Sequence, residues 1–299
     1  MHMKRTFFLF SLLLVYSFPA LAEVKVATSI LPLHSLASMV TEGVSEPKYI
    51  IGSGVSPHSY ALKPSDIKKI SAADIIFMID KDFESFLSKA LNDKEEKTVF
   101  LSQAPDIKLL PLRRSDDWSR TVSDRYDLHL WLDTDNAAAI VRHMAQILSA
   151  KDPKNAGTYQ KNADKAVRKL SDLGKNLQEQ LLPYQNEPFL VFHDGWQYFT
   201  AQNGLNAKGA ILLDEDIPLS VKQRLNLAKL IRTENIGCIF SEPQFSDKTA
   251  LLLADKNQIR TTKADPLGAG IIPGTDLYFQ VLINAGQAMQ RCLHRHQEP

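Results

Sequence analysis

Apolar positions along this chain fall into two alternating rhythms. Short runs at Val24 to Thr28, Lys48 to Ile51, Asp74 to Ile79, Thr98 to Leu101, Phe189 to Phe192, Ile236 to Phe240 and Gln258 to Thr262 have the length of strands. Between them, Leu33 to Val40, Ser65 to Ile70, Phe83 to Leu91 and the stretch from the N-cap Ser220 to about Thr233 carry helical spacing. Strands that alternate with helices predict α/β architecture with parallel sheets. The middle of the chain differs. Asp152-Pro153 reads as an N-cap and first helical residue. Apolar residues then recur in steps of three and four at Tyr159, Ala163, Val167, Leu170, Leu173, Leu177 and Leu181, until Pro183. One helix over 153–182 would run roughly 45 Å at about 1.5 Å per residue. A helix of that length can lie along two lobes, 23–152 and 183–299, as a rigid spine; the alternative is a hairpin helix inside one larger domain.

Ahead of the first strand, Lys4 and Arg5 precede an apolar stretch from Thr6 to Phe18, and Ala20-Leu21-Ala22 supplies small residues at a cleavage point. This predicts a secretory signal over 1–22 and a mature chain that begins at Glu23. No cysteine follows the cleavage point to carry a lipid, and no later apolar run reaches the roughly 18 residues of a membrane span. Without Lys4 and Arg5 there are 33 basic against 34 acidic residues, a formal net charge of −1. That balance points to neither nucleic acid nor an anionic membrane as partner.

Only two cysteines are present. In an oxidising compartment Cys238, in a strand, and Cys292, near the end of the chain, form most simply one disulfide that ties the last helix to a sheet. The rival is a metal cluster of Cys292, His294 and His296. The segment Pro111 to Tyr126, rich in charges of both signs, reads as a solvated loop.

Candidate chemistry lies in three histidines and an aspartate. His193 and Asp265 follow apolar runs and so sit at the carboxyl ends of strands, the edge on which open α/β sheets hold ligands. His58 stands in the turn-rich Gly54-Val55-Ser56-Pro57-His58-Ser59-Tyr60, and His129 in Asp127-Leu128-His129-Leu130-Trp131-Leu132-Asp133. Asp194 and Glu242 follow strand ends nearby and are candidates to orient imidazole rings, or else cap helices or form surface pairs. His34 and His143 lie in helical patterns without such context and read as ordinary residues.

These segments, together with Lys63-Pro64-Ser65-Asp66, Phe192-His193-Asp194, Phe240-Ser241-Glu242-Pro243-Gln244-Phe245 and Asp265-Pro266-Leu267-Gly268, resemble the zinc-binding substrate-binding proteins of ABC transporters, the cluster A-I metal-binding family. The resemblance runs in order through the whole mature chain. It implies two α/β lobes joined by one long helix, metal in the cleft, and ligands at His58, His129 and His193, with Asp265 or water in the fourth position. It also implies a periplasmic protein, expected to act as a monomer, that captures Zn2+ and passes it to a membrane permease driven by an ATPase. Relatives that handle manganese tend to carry a carboxylate where this chain has His193, and zinc matches imidazole donors. Two departures stand out: the stretch from Pro105 to Tyr126 has none of the histidines that many zinc members carry there, and Pro57 occupies a position that is acidic in some. The readings to be separated from zinc capture are manganese or iron transport, an adhesin of the same fold, and a periplasmic zinc hydrolase using the three histidines.

Overall fold

β-Branched and aromatic runs bury on both faces only when helices cover a sheet from both sides, and both halves of the chain build that arrangement. The computed structural model describes residues 23–91, 95–113, 118, 121–212, 220–246 and 248–294. The expected signal segment 1–22 and His296 lie outside the described residues. The first lobe contains β1 (Val26–Thr28), α1 (Leu31–Val40), β2 (Lys48–Tyr49), α2 (Pro64–Ala72), β3 (Ile75–Met78), α3 (Ser88–Leu91) and β4 (Thr98–Phe100). Its strands pair in parallel in the order β2-β1-β3-β4. A hairpin of β5 (Leu110–Arg113) and β6 (Thr121–Asp127) follows, then α4 (Thr134–Lys151) and α5 (Ala156–Leu181). The second lobe contains β7 (Phe189–His193), α6 (Gln197–Gln202), β8 (Ala207–Leu212), α7 (Val221–Thr233), β9 (Cys238–Ser241), α8 (Lys248–Asn257), β10 (Arg260–Lys263) and α9 (Leu277–Leu293). Its sheet, also parallel, has the order β10-β9-β7-β8.

The spine forms as its spacing predicts. α5 is one helix of 26 residues, extended by single 3-10 turns at Pro153–Asn155 and Leu182–Tyr184. Tyr159, Ala163, Leu170, Leu173, Leu177 and Leu181 are buried along one stripe, with Val167 half-buried. The stripe packs on α4, α1 and α9, so the spine touches both lobes. α4, which the strand-helix reading left unassigned, starts at Asp133, whose carboxylate accepts from the N–H groups of Asp135 and Asn136. It lies so close to α5 that a Cβ on Gly174 would come within 2.4 Å of Thr134 Oγ1. The disulfide joins Cys238 of β9 to Cys292 of α9, with Cα atoms 5.7 Å apart. With Cys292 so engaged, its sulfur is not a ligand for a tail cluster with His294.

The charged segment Pro111–Tyr126 is not a free loop. Most of its described residues lie in the β5–β6 hairpin, which is fastened to the second lobe. Arg113 pairs with Asp194 at 3.0 Å and stacks over Trp118, whose indole N–H donates to the Ala207 carbonyl. Gln197 Nε2 donates to the Pro111 carbonyl, and Tyr198 donates to the Asp127 carbonyl at 2.7 Å. The reason is chemical: guanidinium and indole each found a partner across the lobes, and charge composition carries no information about such partners.

Candidate metal centre

Three separate segments deliver the histidines. β7 ends at His193, on the carboxyl edge of the second sheet. His129 follows β6 and opens the 3-10 turn Leu130–Leu132, whose Trp131 is fully buried and donates from its indole to the Pro266 carbonyl. His58 comes from the loop after β2, where Ser56 Oγ accepts from the His58 backbone N–H. One ring nitrogen from each of the three lies within 4.8 Å of the others. His58 Nε2 and His129 Nε2 are 3.3 Å apart. Two ligands of a tetrahedral ion with bonds of about 2.0 to 2.1 Å are separated by about 3.3 Å, so this pair already has the spacing zinc requires. His193 closes the triangle, its ring centroid 4.8 Å from that of His129 and 5.7 Å from that of His58.

Buried carboxylates set which nitrogen faces inward. Asp127 Oδ1 accepts from His129 Nδ1 at 2.7 Å, and Glu242 lies 3.2 Å from His193 Nδ1 while also accepting from the Trp196 indole. With Nδ1 engaged as donor in each ring, Nε2 keeps its lone pair for a metal. Burial, reinforced by His193, holds His129 well below its ordinary pKa, so it stays neutral. Burial also pushes the Asp127 carboxyl up to about 6, against the His129 N–H, His193 and Arg113, which all favour its charge. Phe83 packs edge-on to His58 and His129 and keeps water from one side.

Gly195 is part of the wall. A Cβ there would stand 2.4 Å from His193 Cε1 and 3.1 Å from His129 Cδ2, so the turn after β7 tolerates no side chain while both rings hold their places.

Of the residues singled out from sequence, the three histidines converge and Asp265 does not join their group of ligand atoms. Its carboxylate is turned to its own loop, accepting from the Leu267 and Ala269 N–H groups and from Gln244 Nε2. Glu242 lies against His193 Nδ1, where a carboxylate can orient the ring. Asp194 pairs with Arg113, and burial pushes its carboxyl up to about 7 despite that guanidinium and the nearby His193. Asp127 does for His129 what Glu242 does for His193, a role unassigned from sequence although its spacing two residues ahead of the histidine carried the signal. His34 is buried, with Nε2 3.1 Å from the Pro47 carbonyl, an ordinary packed residue.

Two parallel-sheet α/β lobes joined by a long helix, with three imidazoles converging in one small site, define a metal-binding protein of the substrate-capturing kind. The family model for the periplasmic component A of the zinc-uptake complex, ZnuA, matches residues 26–292. The chain belongs to this ZnuA family. The ZnuA protein of Brucella suis biovar 1, a high-affinity zinc uptake system protein, is 32% identical over 306 residues, covering 90% of this chain and 92% of that one. A crystal structure of a ZnuA deletion mutant with zinc bound shares the fold at TM-score 0.78 and 22% identity, over 92% of this chain and all of that one. FpvC from Pseudomonas aeruginosa, in complex with Mn2+, shares it at TM-score 0.79 and 18% identity, over 91% of this chain and 99% of that one. The fold alone therefore does not select the metal. No helix among the described residues is long and apolar enough to cross a membrane.

Proposed function

We propose that this protein captures Zn2+ in the periplasm through His58, His129 and His193 and delivers it to the permease of an ATP-driven zinc importer. It reaches that compartment by the signal segment 1–22 and acts as a monomer. The observation that carries the reading is the convergence of three ring nitrogens, two of whose rings are backed by buried carboxylates. Neutral imidazole matches zinc, whereas carboxylate and carbonyl oxygens suit manganese, and no carboxylate oxygen among the described residues joins the ligand group. Family membership supports transport over hydrolysis. In this reading residues 23–152 and 183–299 are the two lobes and 153–182 the spine between them. The ion is the cargo, and each residue acts by holding it: His129 and His193 present Nε2 because Asp127 and Glu242 take Nδ1, and His58 completes the set.

The test is direct. Chelator-stripped mature protein is dialysed against buffered zinc, manganese, iron and copper, and bound metal is counted. One zinc per chain, lost in His193→Ala, is the expected result. Preferential manganese, or zinc retained by His58→Ala and His193→Ala alike, would sink the reading.

A further inference from the structure

Three histidines fill three of the four positions zinc prefers, and Asp265 is turned away from them. What Asp265 does instead is informative. Its two carboxylate oxygens accept from three donors: the backbone N–H groups of Leu267, at 2.9 Å, and Ala269, and Nε2 of Gln244, at 2.6 Å. A carboxylate engaged in this way offers only acceptors, so the Gln244 amide must turn its NH2 toward Asp265 and its oxygen the other way. That oxygen is buried and has no hydrogen-bond partner among the described residues. Gln244 lines the same cavity as His58, His129 and His193. A buried amide oxygen without a donor is costly; Phe245, Pro266 and Leu267 line the cavity beside Gln244, and Glu242, which also lines it, offers only acceptors when ionised.

We propose that the amide oxygen of Gln244 anchors a water molecule in the fourth coordination position of the bound zinc, and that Asp265 acts as a positioning residue by fixing which way that amide faces. The inference rests on the zinc-capture reading, takes water from the two fourth ligands the resemblance left open, and adds which side chains hold it. A neutral amide oxygen is not among the donors zinc favours, so direct ligation by Gln244 would be a poor use of the site. Water bound to zinc is a strong hydrogen-bond donor, because the ion draws charge from its oxygen, and an amide oxygen is the acceptor that suits it. The arrangement reconciles two facts: the Asp265 carboxylate is engaged by its own loop and by Gln244, and the Gln244 side chain that engages it presents an oxygen with no partner among the described residues.

Gln244→Met keeps the length of the side chain and removes the amide. Zinc affinity is measured by competition with a chromophoric chelator, and Co2+ is substituted for zinc so that the visible absorption band reports coordination. In the wild type, azide should displace the water and shift the cobalt band. Gln244→Met should bind zinc 10–100-fold more weakly, the range for loss of an outer hydrogen-bond partner, with its resting cobalt band displaced from that of the wild type. A merely structural role would lower the melting temperature of the metal-free protein and leave the cobalt band unmoved. Wild-type zinc affinity and an unchanged cobalt band in Gln244→Met overturn the proposal while leaving zinc capture intact. A wild-type cobalt band that azide does not move also overturns it, because a protein side chain then holds the fourth position. Failure of the wild type to bind zinc overturns both readings together.

Discussion

Oδ1 of Asp127 accepts two hydrogen bonds from the same residue, His129: from its backbone N–H at 2.9 Å and from its ring Nδ1 at 2.7 Å. One atom thereby fixes both where His129 sits and which ring nitrogen is free for metal. Asp127→Asn keeps the shape and removes the charge that makes the imidazole a better donor. Zinc affinity should fall 10–100-fold, measured by chelator competition. The pH profile supplies a second reading. Zinc favours the ionised carboxylate behind His129, and that carboxyl is pushed up to about 6 by burial. Affinity is therefore complete well above pH 6 and declines as pH falls through that value. The variant should lose this component of the decline and keep the part that comes from protonation of the histidines.

Gly195→Ala places a methyl group where the imidazoles of His193 and His129 already stand, 2.4 and 3.1 Å from its position. One ring must move, and His193 is the closer. Loss of at least 10-fold in zinc affinity is expected, with the helix content of the metal-free protein retained in circular dichroism. Wild-type affinity in this variant would show that the turn after β7 yields instead.

Arg113→Ala leaves Asp194 buried without its cation, since both side chains are largely shielded from water, 15% and 7% exposed. Removing one member of such a pair costs about 3 kcal/mol or more. The penalty depends on pH in a defined sense. The Asp194 carboxyl, already pushed up to about 7 with the guanidinium present, rises further without it, so lowering the pH neutralises it and relieves the cost. Denaturant titrations should find the variant about 3 kcal/mol less stable at pH 8 and closer to the wild type at pH 6.

Cys292→Ser opens a cross-link between residues 54 apart in sequence, whose closure restricts the unfolded chain. A loss of about 3 to 4 kcal/mol is expected. Reduction of the wild type should shift its urea midpoint to that of the variant; equal midpoints for oxidised and reduced wild type would remove the disulfide from the account of stability.

The convergence of the three histidines was legible because each sits in a distinctive local context, and the spine because its stripe repeats over about six helical turns. The carboxylate behind His193 was legible only as one of a pair. Strand geometry bears on the choice: β7 and β9 run in register with Val191 beside Phe240, so two residues further along His193 comes beside Glu242, whereas Asp194 lies past the end of β7 and pairs with Arg113. The hairpin was hidden because everything that orders it is distant in sequence. Arg113 needs Asp194, Trp118 needs the Ala207 carbonyl, and Pro111 and Asp127 need α6. The surroundings of Asp265 were hidden for a related reason: its place after the last strand was readable, but the three donors that engage its oxygens were not.

The segment that carries His129 belongs to the first half of the chain but is bolted to the second. Tyr198 donates to the Asp127 carbonyl, Tyr278 to the Trp131 carbonyl, and Trp131 to the Pro266 carbonyl. His129 and His193 are thus mounted on one frame, while His58 is the least buried of the three and arrives on a turn-rich loop of its own. Under the proposed zinc capture, His129 and His193 would form a standing two-nitrogen seat and His58 the single arm that fastens the ion. Loss of that arm should be felt chiefly as a shorter dwell time, with the rate of arrival little changed, so that stopped-flow release from His58→Ala separates how zinc is caught from how long it is kept.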